Sequence, residues 1–217
     1  MWYPDSRNTE MISRTIILAD GKFPEHEIPL GYLKNAERII CCDGSVKNLI
    51  NAGYLPDAIV GDLDSLNNDL ADKFRDRLFY DDNQDTNDLT KAVEWCRRMG
   101  YTNIVILGAT GKREDHTIGN ISLLAEYKQE IDVIMVTDTG ILRPYLESCE
   151  VFSFKGQQVS IFSLDPRNEI TSCGLKYGLL KKKISNWWVA TLNESLGENF
   201  TLEFKSGPVI VYLKFME

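Results

Sequence analysis

Five short apolar runs recur along the first two thirds of the chain: RTIILAD (14–20), RIICCD (38–43), AIVGD (58–62), NIVILG (103–108) and DVIMVTD (132–138). Each is bounded by turn or acidic residues, and none alternates polar with apolar positions. Such runs read as strands covered on both faces, and therefore as parallel strands. Between them lie stretches with helical spacing: SVKNLINAG (45–53), TNDLTKAVEWCRRMG (86–100) and TIGNISLLAEYKQ (117–129). The first two stop at glycine, as helices commonly do. Buried strands alternating with helices leave few architectures open, and a doubly wound, mostly parallel α/β sheet is the expected one.

The pattern changes near Leu142–Glu150. After it, VFSFKG, QQVSIFSL, EFKS and VIVYLKF show the two-residue alternation and β-branched content of antiparallel strands. A boundary near 145 divides the chain into an α/β domain over 1–145 and a small all-β domain over 146–217. A unit of roughly 65–70 residues buries a modest core, so it is expected to lean on the first domain or on a second copy of the chain.

The 217 residues carry 24 Lys and Arg against 32 Asp and Glu, a net charge of -8. A field of that sign argues against nucleic acid as a partner, but not against a nucleotide that arrives with its own cation. Five cysteines without a C-x-x-C pair read as reduced thiols, and two histidines leave little for a zinc site. The opening MWYPDSRNTE has no basic region followed by an apolar run, and no run reaches the length of a membrane span. The expectation is a cytoplasmic protein with no membrane partner.

Acidic residues gather where the strands end, the edge at which open α/β sheets bind ligands. Asp43-Gly44-Ser45 follows the second run, and Gly61-Asp62-Leu63-Asp64-Ser65 follows the third. The stretch DDNQDTNDLTK (81–91) places Asp85 and Asp88 three apart at a helix start, which would set both on one helical face. Any one of these residues is explained as a helix cap. The set exceeds what capping needs, because two carboxylates about 4 Å apart repel by roughly 4 kcal/mol at an effective dielectric of 20. A hard divalent cation such as Mg²⁺ would remove that repulsion and bring phosphates with it. Downstream, LGATGKREDHTIGN (107–120) offers a glycine turn, Lys112, Arg113 and a helix start near Asp115, together a phosphate cradle without P-loop spacing. An ordinary solvated turn, with Asp115-His116 as a cap, accounts for the same residues.

In order along the chain, DGS (43–45), PDAIVGDLDSL (56–66), NQDTNDLTKA (83–92), GATGKREDHTIGN (108–120) and GLKYGLL (174–180) resemble the thiamin pyrophosphokinase family. The resemblance implies a nucleotide-binding α/β domain, a C-terminal β-sandwich, and a homodimer with shared active sites. It implies transfer of a diphosphate group from ATP to the thiamin hydroxyl, leaving AMP and thiamin diphosphate, with Mg²⁺. It assigns Asp62, Asp64, Asp85 and Asp88 to the metal and diphosphate. Asp43, Gly44, Ser65, Gly108, Gly111, Arg113, Asp115, His116 and Asn120 fall to the nucleotide. Either Asp64 or Asp85 is a candidate to orient or deprotonate the hydroxyl. The family's adjacent Ser-Asn pair is absent, and NESLGENF (193–200) stands in its place, making Ser195, Gly197 and Asn199 candidates for the thiamin pocket. Trp187 and Trp188 read either as a strand with one core and one exposed ring, or with one ring stacked on thiamin's cationic system.

Two rivals predict different products. A phosphohydrolase using DLDS as an aspartyl nucleophile releases phosphate, and a nucleotide-sensing module binds ATP without turnover.

Overall fold

The computed structural model describes residues 14–216, so the MWYPDSRNTE segment lies outside the described residues. Contacts divide the described residues into two compact units, one built from 14–123 with 130–138, the other from 139–216 with Leu124–Gln129.

The first unit alternates β1 (Thr15–Leu18), α1 (Glu27–Lys34), β2 (Arg38–Cys42), α2 (Val46–Asn51), β3 (Ala58–Gly61), α3 (Asn68–Lys73), β4 (Leu78–Tyr80), α4 (Asp88–Arg98), β5 (Asn103–Leu107), α5 (Glu114–Tyr127) and β6 (Asp132–Val136). The strands run in the order β6-β5-β1-β2-β3-β4, and every pairing among them is parallel. β1 and β3 are buried throughout, as their unbroken apolar runs require. Ile16, Ile17, Ile59 and Ile106 have no exposed surface, and each fully buried side chain of this size contributes about 1.5–3 kcal/mol. Strand order reverses between β1 and β5, so the crevice beyond their carboxyl ends is the topological switch point, where such sheets bind ligands.

α4 shows how local chemistry fixes these boundaries. Asn87 Oδ1 accepts the Thr90 N–H at 2.8 Å and starts the helix, while Leu89, Ala92, Val93, Trp95 and Cys96 form its buried face. Gly100, at φ +78, ends it, and the Tyr101 N–H closes the last turn onto the Cys96 carbonyl at 2.9 Å. The helix therefore begins at Asp88 and leaves Asp85 outside. Contrary to expectation, the two aspartates do not share a helical face. Asn83 Oδ1 takes the Asp85 N–H at 2.9 Å in a side-chain-closed turn, and Asn87 holds the cap position.

The second unit opens with β7 (Gly140–Tyr145), a few residues ahead of the boundary read near 145. The whole of β7 pairs antiparallel with the last strand, Val209–Lys214, which is why it groups with this unit. β8 (Cys149–Phe152), β9 (Gln158–Ser163), β10 (Glu169–Cys173), β11 (Lys182–Lys183), β12 (Asn193–Glu194), β13 (Asn199–Glu203) and β14 (Val209–Lys214) complete it. They form two antiparallel layers, β12-β9-β14-β7 and β11-β10-β13-β8. β13 alternates exposed and buried positions along NFTLE, turning Phe200 and Leu202 onto Val159, Ile161, Ile170 and Val211. This is a sandwich core. Among the described residues no helix is long and apolar enough to cross a membrane.

Candidate active site

The parallel register brings the first acidic residues together. Cys42 pairs with Val60, so the residues just beyond each strand, Asp43 and Asp62, emerge side by side. Leu63, at φ +62, turns the chain between Asp62 and Asp64, and the Asp64 N–H donates to Asp62 Oδ1 at 3.3 Å. The result is a trio, Asp43, Asp62 and Asp64, whose carboxylate oxygens lie within 4.8 Å of one another. Three hard oxygens at that spacing are a suitable donor set for a divalent cation.

Asp43 is the buried member, 3% exposed. Burial pushes its carboxyl above the ordinary range and the Asp88 and Asp62 charges add to that, while N–H groups of Gly44 at 2.6 Å and Ser65 at 3.5 Å pull the other way. Gly61 lies over this carboxyl: a Cβ there would stand 3.2 Å from Asp43 Cγ. Ser65 is exposed and its Oγ donates to Asp64 Oδ1 at 3.1 Å.

Asp85 and Asp88 are not in the trio. Asp85 is exposed. Asp88 lines a cavity of about 410 Å³ together with Asp62, Gln84, Thr86 and Asn87. Facing them across the cavity are residues of two loops, Ala19–Gly21 after β1 and Ala109–Arg113 after β5, and the first turn of α5. The two loops form a short ladder: the Ala19 N–H donates to the Leu107 carbonyl at 2.9 Å, Gly21 to Gly108 at 2.5 Å and Lys22 to Thr110 at 2.7 Å. Gly108 sits at φ +65, where a Cβ would meet the Ala19 carbonyl oxygen at 2.8 Å, so glycine is required there.

Arg113, His116 and Asn120 all line this cavity. Arg113 grips Asp115 through two bonds of 3.0 and 2.5 Å, and the guanidinium, helped by the His116 N–H, holds the Asp115 carboxyl at about 2. Asn120 is buried. Its Nδ2 donates to the Ala109 carbonyl at 2.9 Å and its Oδ1 accepts from Asn87 Nδ2 at 3.2 Å. One side chain thus ties the glycine loop to the cap of α4. Cys42 lines the cavity too, but burial pushes its thiol well above the ordinary value, so it is no nucleophile at neutral pH.

Asp20, Gly21 and Lys91, which no motif above singles out, also stand on the cavity wall. The first two had a signal, since an Asp-Gly pair follows β1 after one residue, much as Asp43-Gly44 follows β2.

In the second unit, NWWVATL is a run of turns and not a strand. Asn186 organises it, its carbonyl accepting the Val189 N–H at 3.1 Å and its Oδ1 the Trp188 N–H at 3.4 Å. Trp187 is half-buried, its ring 5.7 Å from Phe162, whereas Trp188 is 71% exposed. Trp187→Ala is therefore expected to cost about 2 kcal/mol of stability and Trp188→Ala next to none, as paired thermal melts will show. Ser195 is fully buried; its Oγ lies 2.6 Å from Ser153 Oγ and 3.2 Å from the Gly197 carbonyl, so it shapes the loop on which Gly197 sits. Asn199 is exposed and bonds Glu150.

A doubly wound α/β unit with an acidic trio and a glycine-rich cavity at its switch point, followed by a β-sandwich unit, defines a two-part class of protein. Two family profiles match it in turn, "Thiamin pyrophosphokinase, catalytic domain" over residues 30–136 and "Thiamin pyrophosphokinase, substrate-binding domain" over 140–212. The chain belongs to the thiamin pyrophosphokinase family. It is similar to Thiamin pyrophosphokinase 1 of Caenorhabditis elegans, 29% identical over 109 residues, which are 46% of this chain and 44% of that one. It is 28% identical to Thiamine pyrophosphokinase of Bacillus subtilis (strain 168) over 211 residues, 90% of this chain and 95% of that one. The match thus spans less than half of the nematode relative and nearly all of the bacterial one. Among solved structures, a thiamin pyrophosphokinase family protein from Enterococcus faecalis shares the fold with a TM-score of 0.77 at 23% identity, covering 94% of this chain and all of that one.

Proposed function

We propose that the chain transfers the diphosphate group of ATP to the hydroxyl of thiamin, releasing AMP. The observation that carries this reading is the acidic trio, whose Asp62 lines the glycine-rich cavity, within the unit matched by the family's catalytic domain. The hydroxyl oxygen bonds to the β-phosphorus as the bond from that phosphorus to the α,β-bridging oxygen breaks, and the electron pair leaves on AMP. The hydroxyl proton goes to a carboxylate, for which Asp64 and Asp85 are the exposed candidates. Reaction of this kind needs positioning and charge neutralisation more than covalent chemistry.

Asp43, Asp62 and Asp64 would hold Mg²⁺, which supplies charge neutralisation at the phosphates when bound. The paired glycine loops let backbone approach the phosphate chain, and Arg113, at 69% side-chain exposure, is free to swing from Asp115 to an anionic ligand. Incubating the protein with ATP, Mg²⁺ and thiamin should yield AMP and thiamin diphosphate in equal amounts. Excess EDTA should abolish the reaction and Mg²⁺ or Mn²⁺ should restore it; full turnover in EDTA refutes the ion. Phosphate release without thiamin diphosphate would favour an aspartyl phosphohydrolase, and binding without products a sensor. The family match supports neither.

We place thiamin on the second unit, at Trp188, Gly197 and Asn199, in a homodimer whose two copies share the sites, working in the reducing cytoplasm. Nucleic acid and membrane have no part in this reading. Its cysteines from Cys41 to Cys173 are free thiols, which suits that compartment. Loss of a cation–π contact in Trp188→Ala should raise the apparent thiamin constant about two- to thirtyfold, with ATP unaffected. A fully active monomer by light scattering removes the shared site.

A further inference from the structure

Lys91 is the one buried cation among the described residues, 3% exposed. It sits in the first turns of α4, on the same cavity wall as Asp62 and Asp88, and its Nζ lies 3.2 Å from Asp88 Oδ1. Asp88 does not explain this burial: at 42% side-chain exposure it is well solvated, and a flexible surface lysine would satisfy it equally. Removing an ammonium from water is costly. Burial works against its charge, yet Asp88, and behind it Asp62 and Asp81, outweigh that and hold the ammonium above its ordinary value.

The other cations on the wall differ. Lys112 and Arg113 are half-exposed or more, tied to Asp20 and Asp115 on loops. Lys91 rides on a helix whose Leu89, Ala92 and Val93 are locked in the core. It is a fixed point charge, shielded from water, beside the acidic trio, and such a charge acts more strongly on a ligand anion than an exposed one.

We propose that Lys91 is a catalytic residue whose ammonium contacts the terminal phosphates of the bound nucleotide, the group that is transferred. The proposal rests on the diphosphotransferase reading given above. The trio and Lys91 then divide the work. Charge on the non-bridging oxygens of the transferred group meets a protein cation that is already in place, and Asp88 acts as the positioning residue that aims it. Asp88 thereby belongs with Lys91 and not with the trio.

The test compares ATP with AMP, which lacks the transferred group. Calorimetric titration in Mg²⁺ should show Lys91→Met weakening ATP by about 10- to 100-fold and AMP by less than about threefold. Turnover should fall on the order of 10²- to 10³-fold. Lys91→Arg, which keeps the charge, should recover most of the ATP affinity. Should Lys91→Met fail to fold, lysine-selective ¹⁵N spectra of the wild type decide: the Nζ signal missing from Lys91→Arg must move with ATP–Mg²⁺ and stay put with AMP–Mg²⁺. Equal losses for ATP and AMP, or an Nζ signal indifferent to both, overturn the proposal and leave Lys91 as a prop for Asp88. Wild-type protein that makes no thiamin diphosphate overturns the parent reading instead, whatever Lys91→Met does.

Discussion

Asp62→Asn is expected to cut turnover on the order of 10²- to 10³-fold while the metal-free fold becomes no less stable. Asparagine keeps the side chain's shape and its oxygen for the Asp64 N–H, but removes one charge from the trio. The Asp62 charge is among the influences that raise the buried Asp43 carboxyl, so its loss lets Asp43 ionise more readily and relieves repulsion in the folded state. Each kcal/mol regained would lift the melting temperature by about 2–4 °C in a chain of this size. With Mg²⁺ present the order should invert, since the ion stabilises only the protein that binds it. Asp85→Asn separates two roles: its carboxylate lies outside the trio, so turnover should fall with Mg²⁺ affinity unchanged. Near-normal turnover in Asp62→Asn would reduce that residue to a turn former.

Gly21→Ala is expected to be nearly as damaging, by a different route. The added Cβ would lie 2.3 Å from the Gly108 oxygen, 2.5 Å from the Thr110 oxygen and 2.9 Å from the Thr110 nitrogen. All three are backbone atoms, and the two oxygens are the acceptors that join the loops. No rotamer change can make room, so the loops must part. Overpacking of this kind costs about 1–3 kcal/mol, and nucleotide affinity should fall more than about tenfold as the cavity wall opens. Gly119→Ala is the control. Nothing lies within 4 Å of a Cβ there, and it is mid-helix, so a gain of up to about 1 kcal/mol is expected. Denaturant melts of both variants, with ATP titrations, provide the comparison.

The buried strands were legible because strands covered on both faces need continuous apolar residues, and RIICC or NIVIL can be little else. α1 and α3 were not: α1 is eight residues long with a proline inside, and α3 has six residues and buries none of them. The edge strand LFY, largely exposed, carries no burial signal either. Asp62 and Asp64 were readable as a pair because they are neighbours in sequence. Asp43 joins them only through the Cys42–Val60 register, which is tertiary information. Lys91 was hidden for the opposite reason. A lysine three residues after an aspartate on a helix is ordinarily a solvated pair, and only the packed cavity shows that this one is enclosed. The tryptophan pair misled because two aromatic residues favour a strand, whereas Asn186 closes the chain into turns.

Leu63 has a consequence for how the proposed cation affinity would arise. A leucine at φ +62 sits in a region that L-residues reach at a cost of about 1–2 kcal/mol. The Asp64 N–H to Asp62 Oδ1 contact within GDLDS is long, 3.3 Å, and offsets little of this. The fold around it imposes the shape, with β3 fixed in the sheet and the Ser65 N–H turned toward Asp43 of the neighbouring strand. A free peptide spanning 58–66 should therefore hold Mn²⁺ or Mg²⁺ no better than any pair of loose aspartates. On the proposed metal reading, ion binding would belong to the native state alone and the ion would report on it: titrating Mn²⁺ against a series of core variants would read out the folded fraction directly, with no substrate present.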